Sequence, residues 1–401
     1  MGILVGTAIS NPPAMRAQDL RGLEQGAICK AVTFSGIRFE TECSAHRAQL
    51  RPPDARMVSV NRARSSLASC TVLAICCAAL SVARSVFAGA RSQESESNSK
   101  AVAITVDDLP GAVPGMGSWE AVGDLKDFEK INRAIPRILK SHHAPAIGFV
   151  NEWKLQVSGE RDARVALLQW WLDAGLTLGN HTYTHASFQT TPLDQYEDET
   201  IRGEVVTRAL MKAAGQEEKY FRHPFLMTGP TPEAKMAFEA FLKERGYRVA
   251  PVTVDNDDYQ FNDVLGAALE RQDKQLADKT RAAYLAYLDS AFDYYEGVSR
   301  RLFHREIPQV LLIHDSELTS ECLDELLTNL ERRGYRFISL DQALADPAYA
   351  TPDLFIGPEG FSWLIRWKLA FGQTADWQNE PDPPAWIVKM SREIRRAKRK
   401  H

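Results

Sequence analysis

From residue 101 onward the chain alternates between short apolar runs and longer stretches with apolar positions three or four apart. AVAITV (101–106) predicts a buried strand, and DLKDFEKINRAIPRILKSH (124–142) has helical spacing. PAIGFV (145–150) returns to a strand, DARVALLQWWLDAG (162–175) predicts a helix ended by Gly175, and LTLG (176–179) is a short strand. A long helical stretch covers 193–214. It is followed by a strand near 219–222, a helix near 231–245 ending at Gly246, and the strand YRVAPVTV (247–254). An extended helical segment at roughly 266–302 precedes the strand QVLLIH (309–314), a helix at 320–333, the strand YRFISL (335–340) and a short helix at 341–346. Seven alternating strand and helix units predict a parallel sheet covered by helices, closed or nearly closed into an α/β barrel. No internal repeat accompanies the rhythm.

The segments flanking this pattern differ from it. Residues 57–90 read MVSVNRARSSLASCTVLAICCAALSVARSVFAGA, with Arg62 and Arg64 before the apolar run Leu67–Ala83 and an A-x-A pattern at Ala88–Ala90. That combination predicts a secretory signal peptide, an uncleaved membrane anchor being the alternative. A signal belongs at an N-terminus, so Met57 is expected to be the true start and residues 1–56 a mis-called upstream extension or a disordered one. RSQESESNSK (91–100) predicts a disordered linker. Residues 347–401 hold Trp363, Trp367, Trp377 and Trp386, half of the chain's eight tryptophans, and end in the basic run IRRAKRKH. They are expected to form an apolar strap over the barrel and a solvated tail, with a sugar-binding platform as the sharper alternative.

Charge narrows the function classes. Residues 1–90 carry ten Lys/Arg against five Asp/Glu, so of the net −4 the remainder carries −9. A body that acidic, without an aromatic-studded basic stripe, is a poor nucleic-acid binder. Beyond residue 90 the only cysteine is Cys322, which excludes an internal disulfide or a thiolate metal cluster there.

In an α/β barrel, catalytic groups sit at the C-terminal ends of strands, and here those ends are polar. The first ends in Asp107-Asp108, the third in Asn180-His181 with His185 following, and the fourth in Arg222-His223-Pro224-Phe225. The fifth ends in Asp255-Asn256-Asp257-Asp258-Tyr259 and the sixth in His314-Asp315. One acidic pair is ordinarily a turn or helix cap; five polar ends in one barrel are not. Asp108, His181 and His185 make a two-histidine, one-carboxylate set, a catalytic arrangement that leaves coordination positions for water and substrate.

ITVDD, HTYTH, RHPF, DNDDY and LLIHD, in that order on successive strands, resemble the five motifs of the polysaccharide deacetylase (NodB homology, carbohydrate esterase family 4) domain. The resemblance covers residues 101–346 and implies a distorted (β/α)7 barrel of the NodB type. It implies that Asp108, His181 and His185 bind a divalent metal, zinc being the best match to imidazoles and a carboxylate. It further implies Asp107 as general base and Arg222 as the cation that keeps Asp107 ionised. His314 would be the general acid, paired with Asp255, and Pro224, Phe225, Tyr259 and Leu312 would wall the pocket. Val106 replaces a common Phe, Tyr259 stands where Trp is frequent, and the 266–302 region exceeds what a minimal domain needs.

The implied function is metal-dependent removal of acetyl groups from N-acetylated amino sugars of a polysaccharide: peptidoglycan, a chitin-like polymer or an exopolysaccharide. An O-acetyl glycan esterase or small-amide hydrolase is the alternative on the same fold, and a glycan-binding pseudoenzyme the alternative from another class. The expected partner is an acetylated glycan, with membrane contact only through the signal segment. The expected location is the periplasm, the cell envelope or outside the cell.

Overall fold

The computed structural model describes residues 100–118 and 120–400. The expected signal peptide (57–90), the segment 1–56 and linker residues 91–99 lie outside the described residues.

Seven parallel strands form one sheet: β1 (Lys100–Leu109), β2 (Ala146–Val150), β3 (Thr177–Asn180), β4 (Tyr220–Phe221), β5 (Arg248–Val249), β6 (Gln309–His314) and β7 (Tyr335–Phe337). Their order is β5-β4-β3-β2-β1-β6, with β7 paired to the first residues of β1. Beyond β5 the strand predicted to run to Val254 leaves β4 at Pro251, which has no N–H to give to a ladder. The chain then crosses to the other edge. Thr253 and Val254 donate to Val310 O, both at 3.0 Å, and Leu312 donates to Val254 O at 3.1 Å. The sheet thus curls until its two edges meet, which is the barrel expected from the alternation.

Helices α1 (Leu125–Ser141), α2 (Arg161–Asp173), α5 (Pro232–Glu244) and α8 (Glu317–Arg332) lie close to their predicted spans. Two predicted helices are each broken in two. The 193–214 stretch splits into α3 (Leu193–Arg202) and α4 (Val205–Ala213). The break has a cause: a Cβ on Gly203 would lie 2.8 Å from the Thr182 carbonyl carbon, so only glycine lets the helix end press on the HTYTH loop. Glu152 then accepts from the N–H groups of Val206 and Thr207, covering the exposed start of α4. The 266–302 segment begins earlier than predicted and divides into α6 (Asp258–Glu270) and α7 (Lys274–Phe303), with Gln272 at φ 56° and Asp273 accepting from Leu276 N. A short helix, α9 (Leu340–Leu344), follows β7.

The segment after residue 346 packs into the barrel's own core. Within α10 (Trp363–Trp367), Trp363 and Trp367 are buried in the main apolar cluster. Trp363 N donates to Val252 O at 2.7 Å and Ser362 Oγ to Thr253 O at 2.8 Å, so the segment adds to the strand that closes the barrel. Buried Arg366 donates to Asp353, Thr228 Oγ1 and Leu226 O. Helix α11 (Ala385–Lys398) lies along α6, where Ser391 and Arg395 both donate to Asp263. Among the described residues no helix is long and apolar enough to cross a membrane.

Candidate active site

The end of β1 sets the geometry. Asp108 takes a left-handed backbone, φ 73°, which breaks strand alternation and lets both Asp107 and Asp108 face one cavity. Arg222, wholly buried at the end of β4, sends Nη1 to both Asp107 oxygens at 3.2 Å. Its Nε donates to Ala250 O, its Nη2 to Thr105 Oγ1, and its guanidinium lies 4.7 Å from the Phe149 ring centre. A guanidinium tied at every edge holds its partner carboxylate in one orientation.

His181 donates from Nδ1 to the Arg222 carbonyl at 2.8 Å. A carbonyl only accepts, so Nε2 carries the lone pair, and it stands 3.7 Å from both Asp107 and Asp108. His185 Nε2 lies 3.4 Å from Asp108 Oδ1, and the two imidazoles meet edge to face at 4.9 Å. One ligand atom each from Asp108, His181 and His185 falls within 4.8 Å of the others. The Ser118 hydroxyl donates to Asp108 Oδ2, while Oδ1, equally buried, has no hydrogen-bond donor. A buried carboxylate oxygen without a donor is costly unless a cation faces it. Together with a histidine lone pair held toward it, that oxygen makes a donor set that fits a divalent metal.

Electrostatics agree. Burial disfavours the Asp108 carboxylate, but the Lys154 ammonium, with the charged His314 imidazole, outweighs it and holds its pKa far below the usual range. Burial pushes His181 down and His185 to about 3, so both are neutral, as metal ligands must be. Lys154, fully buried itself, donates to the carbonyls of Asp108 and Gly111 at 2.9 and 3.0 Å and fixes the turn after β1.

Across the cleft, His314 corrects one expectation. Its partner is Asp258, not Asp255: Asp258 Oδ1 lies 2.6 Å from Nδ1, and Oδ2 accepts from the His314 backbone N at 2.8 Å. The reason is local. Asn256 donates to Leu312 O at 2.5 Å and accepts from Asp258 N, so Asp258 begins α6 directly beneath His314. Asp255 instead opens on the cleft beside Asp257 and Glu380. Its pKa is pushed up to about 8, by burial first and then by those two carboxylates. Burial opposes the charged His314 imidazole, but Asp258, with smaller help from Asp108 and Asp107, raises its pKa to about 10.

The cleft holds about 530 Å³ and is lined by Asp107, Asp108, His181, His185, Leu312 and His314 at its base, with Phe225 and Tyr259 on its walls. Phe225 stands edge to face on His185 at 4.5 Å. Pro224, expected in the wall, is buried in the turn beneath Phe225 and does not line the cleft. Asp108, Thr182, His185, Phe225 and Leu226 are all non-glycine residues at positive φ, between 55° and 73°. Backbone strain of this kind persists only where packing enforces it, and here it gathers around one site.

Sequence reasoning missed Ser118, Lys154 and Glu380. The first two lie off the strand ends and carry no motif, and Glu380 lies beyond the predicted domain. Trp377, named with the other tail tryptophans as a candidate sugar platform, lines the cleft. Asp258 was within reach, since DNDDY offers three acidic candidates and spacing alone does not choose among them. His223, set aside as structural, is buried and shares a hydrogen bond with the Tyr196 hydroxyl.

Residues 94–237 match the family model for polysaccharide deacetylase. None of the curated proteins compared with the chain matches it. Among solved structures the chain is similar to a carbohydrate esterase family 4 pseudoenzyme from Bacillus anthracis, at 19% identity over 62% of this chain and 66% of that one, TM-score 0.37. It is similar to the peptidoglycan deacetylase PdaC from Bacillus subtilis at 16% identity, over 62% and 91%, TM-score 0.38. PdaA of Bacillus subtilis, a family 4 carbohydrate esterase, is similar at 20% identity, over 62% and 81%, TM-score 0.37. The match of residues 94–237, about a third of the chain, makes that part similar to a polysaccharide deacetylase domain.

Proposed function

We propose that the protein is an exported, zinc-dependent N-deacetylase of an amino-sugar polymer, with Asp107 as general base and His314 as general acid. One observation carries the reading. A carboxylate locked by Arg222 and a histidine held charged by Asp258 face each other across a cleft whose floor is the Asp108, His181 and His185 set. A fixed proton acceptor and a protonated donor on opposite sides of the scissile bond are what amide hydrolysis requires. A divalent cation bound by Asp108, His181 and His185 would supply polarisation of the acetyl carbonyl and a more acidic water. Asp107 takes the proton of the attacking water, and Arg222 keeps that carboxylate aligned. His314 has Nδ1 committed to Asp258, so Nε2 delivers a proton to the departing sugar nitrogen. Phe225 and Leu312 give the acetyl methyl an apolar wall.

The test is acetate release from N-acetylated and O-acetylated glycans, with zinc and after chelation. Zinc-dependent release from an N-acetylated polymer is the expected result. Release from esters alone would move the reading to an O-deacetylase, and release that survives chelation would end the metal-dependent reading.

A pH prediction follows from the histidine. The acid must be protonated, so activity is expected to fall as pH rises through the His314 pKa of about 10. In Asp258→Asn the alkaline limb should drop toward the ordinary imidazole value of about 6.5. The same shift bears on stability. A raised pKa stabilises the fold fully below about pH 6.5, and that contribution is lost as pH climbs through about 10. An alkaline limb unmoved in Asp258→Asn would remove His314 from the acid role.

A further inference from the structure

Large exposed aromatic side chains are few among the described residues: Phe225, Tyr259, Phe371 and Trp377. Three of the four line the catalytic cleft. Phe225 and Tyr259 come from the barrel. Trp377, 52% exposed and the most open of the three, comes from the segment that follows it.

That segment is built into the wall. Phe361 lies 4.8 Å from Trp377, ring centre to ring centre, and tilted to it by 34°. A Cβ on Gly360 would come within 1.8 Å of the Phe225 carbonyl oxygen, so glycine alone lets the strap close against the loop after β4. Arg366 ties the same loop through Leu226 O and Thr228. Three residues beyond Trp377, Glu380 accepts from the Tyr295 hydroxyl inside the cleft. Arg395, from α11, lies 4.8 Å over the Tyr259 ring and fixes it as the facing side of the opening.

A pyranose ring has apolar C–H faces and hydroxyls around its edge. An aromatic face flanked by carboxylates matches both, and an exposed indole is otherwise a surface liability. We propose that Trp377 is a specificity-determining residue: it stacks on a sugar next to the one being deacetylated, so that the protein selects a polymer over a monosaccharide. The carboxylates of Glu380 and Asp382, which line the cleft beside it, accept from the hydroxyls of that sugar. The proposal rests on the glycan deacetylase reading and is tested by binding, not turnover.

N-acetylglucosamine and its tetramer would be titrated by calorimetry into the full-length zinc-loaded protein and its Trp377→Ala and Trp377→Phe variants. Trp386→Ala is the control, since Trp386 lies outside the cleft beneath Lys279. The tetramer is expected to bind Trp377→Ala about 10-fold more weakly, with monomer affinity unchanged, most of the loss recovered in Trp377→Phe, and no effect in Trp386→Ala. Unchanged tetramer affinity in Trp377→Ala overturns the proposal, as does an equal loss for monomer and tetramer, or a wild-type protein that binds no tetramer. A protein that binds the tetramer through Trp377 but releases no acetate would sustain this inference while refuting the enzymatic one.

Discussion

Asp107→Asn is expected to lower kcat by about 100- to 10,000-fold while zinc content stays at wild-type level. Asparagine keeps the shape of the side chain and one accepting oxygen but cannot take a proton from water. Asp107 opens on the same cleft as Asp108 and His181, 3.7 Å from His181 Nε2, and its orientation is fixed by Arg222 Nη1 at 3.2 Å from both oxygens. The change also removes the anion facing a fully buried guanidinium. Breaking such a pair costs up to about 3 to 5 kcal/mol, so a lower melting temperature is expected as well. The control is Arg222→Lys. It keeps a cation but loses the fork, so it should lower kcat less than Asp107→Asn. The decisive readings are kcat, zinc per chain and thermal melting together. A folded, zinc-loaded Asp107→Asn enzyme with ordinary turnover would exclude Asp107 as the base.

The second large effect is on the metal. His181→Ala or His185→Ala should weaken zinc binding by at least about 100-fold, since even changes behind a ligand cost 10- to 100-fold. Activity should vanish with it. His181 does two tasks, because its Nδ1 also accounts for the Arg222 carbonyl. Its removal therefore leaves a buried acceptor unpaired at the strand end that holds the base. In His185→Ala the Arg222 carbonyl keeps its His181 donor, so this variant separates metal loss from damage at Arg222. Competition against a chelator with a known zinc affinity measures the first effect, and acetate release the second. Zinc retained in both variants would dismiss this ligand set.

How much of this was readable from the sequence depended on the scale of the signal. Strands β1, β2 and β6 announced themselves because each is buried on both sides and reads as a continuous apolar run. The five polar strand ends were visible for the complementary reason: polar residues at the mouth of an apolar barrel interrupt a run. The breaks at Gly203 and at Gln272-Asp273 were not legible. Each is imposed by a loop or a cap from elsewhere in the fold, which local periodicity does not register. Asp255 was paired with His314 from motif order, but the carboxylate that reaches the ring is set by where Asn256 anchors the turn. Lys154 was invisible because a buried lysine donating to two carbonyls leaves no pattern in sequence. The strap was legible as apolar, with its tryptophans as a candidate sugar platform, but not as a wall of this cleft, because its contacts with the loop after β4 cross more than a hundred residues.

The way the strap meets the barrel divides the molecule by how freely it can change. Asp107, His181 and Arg222 are buried among one another, so nearly any replacement there disturbs both folding and reaction. Trp377 projects from an open stretch of strap without regular structure, where a substitution carries little cost in stability. If Trp377 selects the polymer as proposed, substrate preference can drift by single exchanges along this stretch while the reaction itself stays untouched, a route to new polymers that never passes through an inactive enzyme.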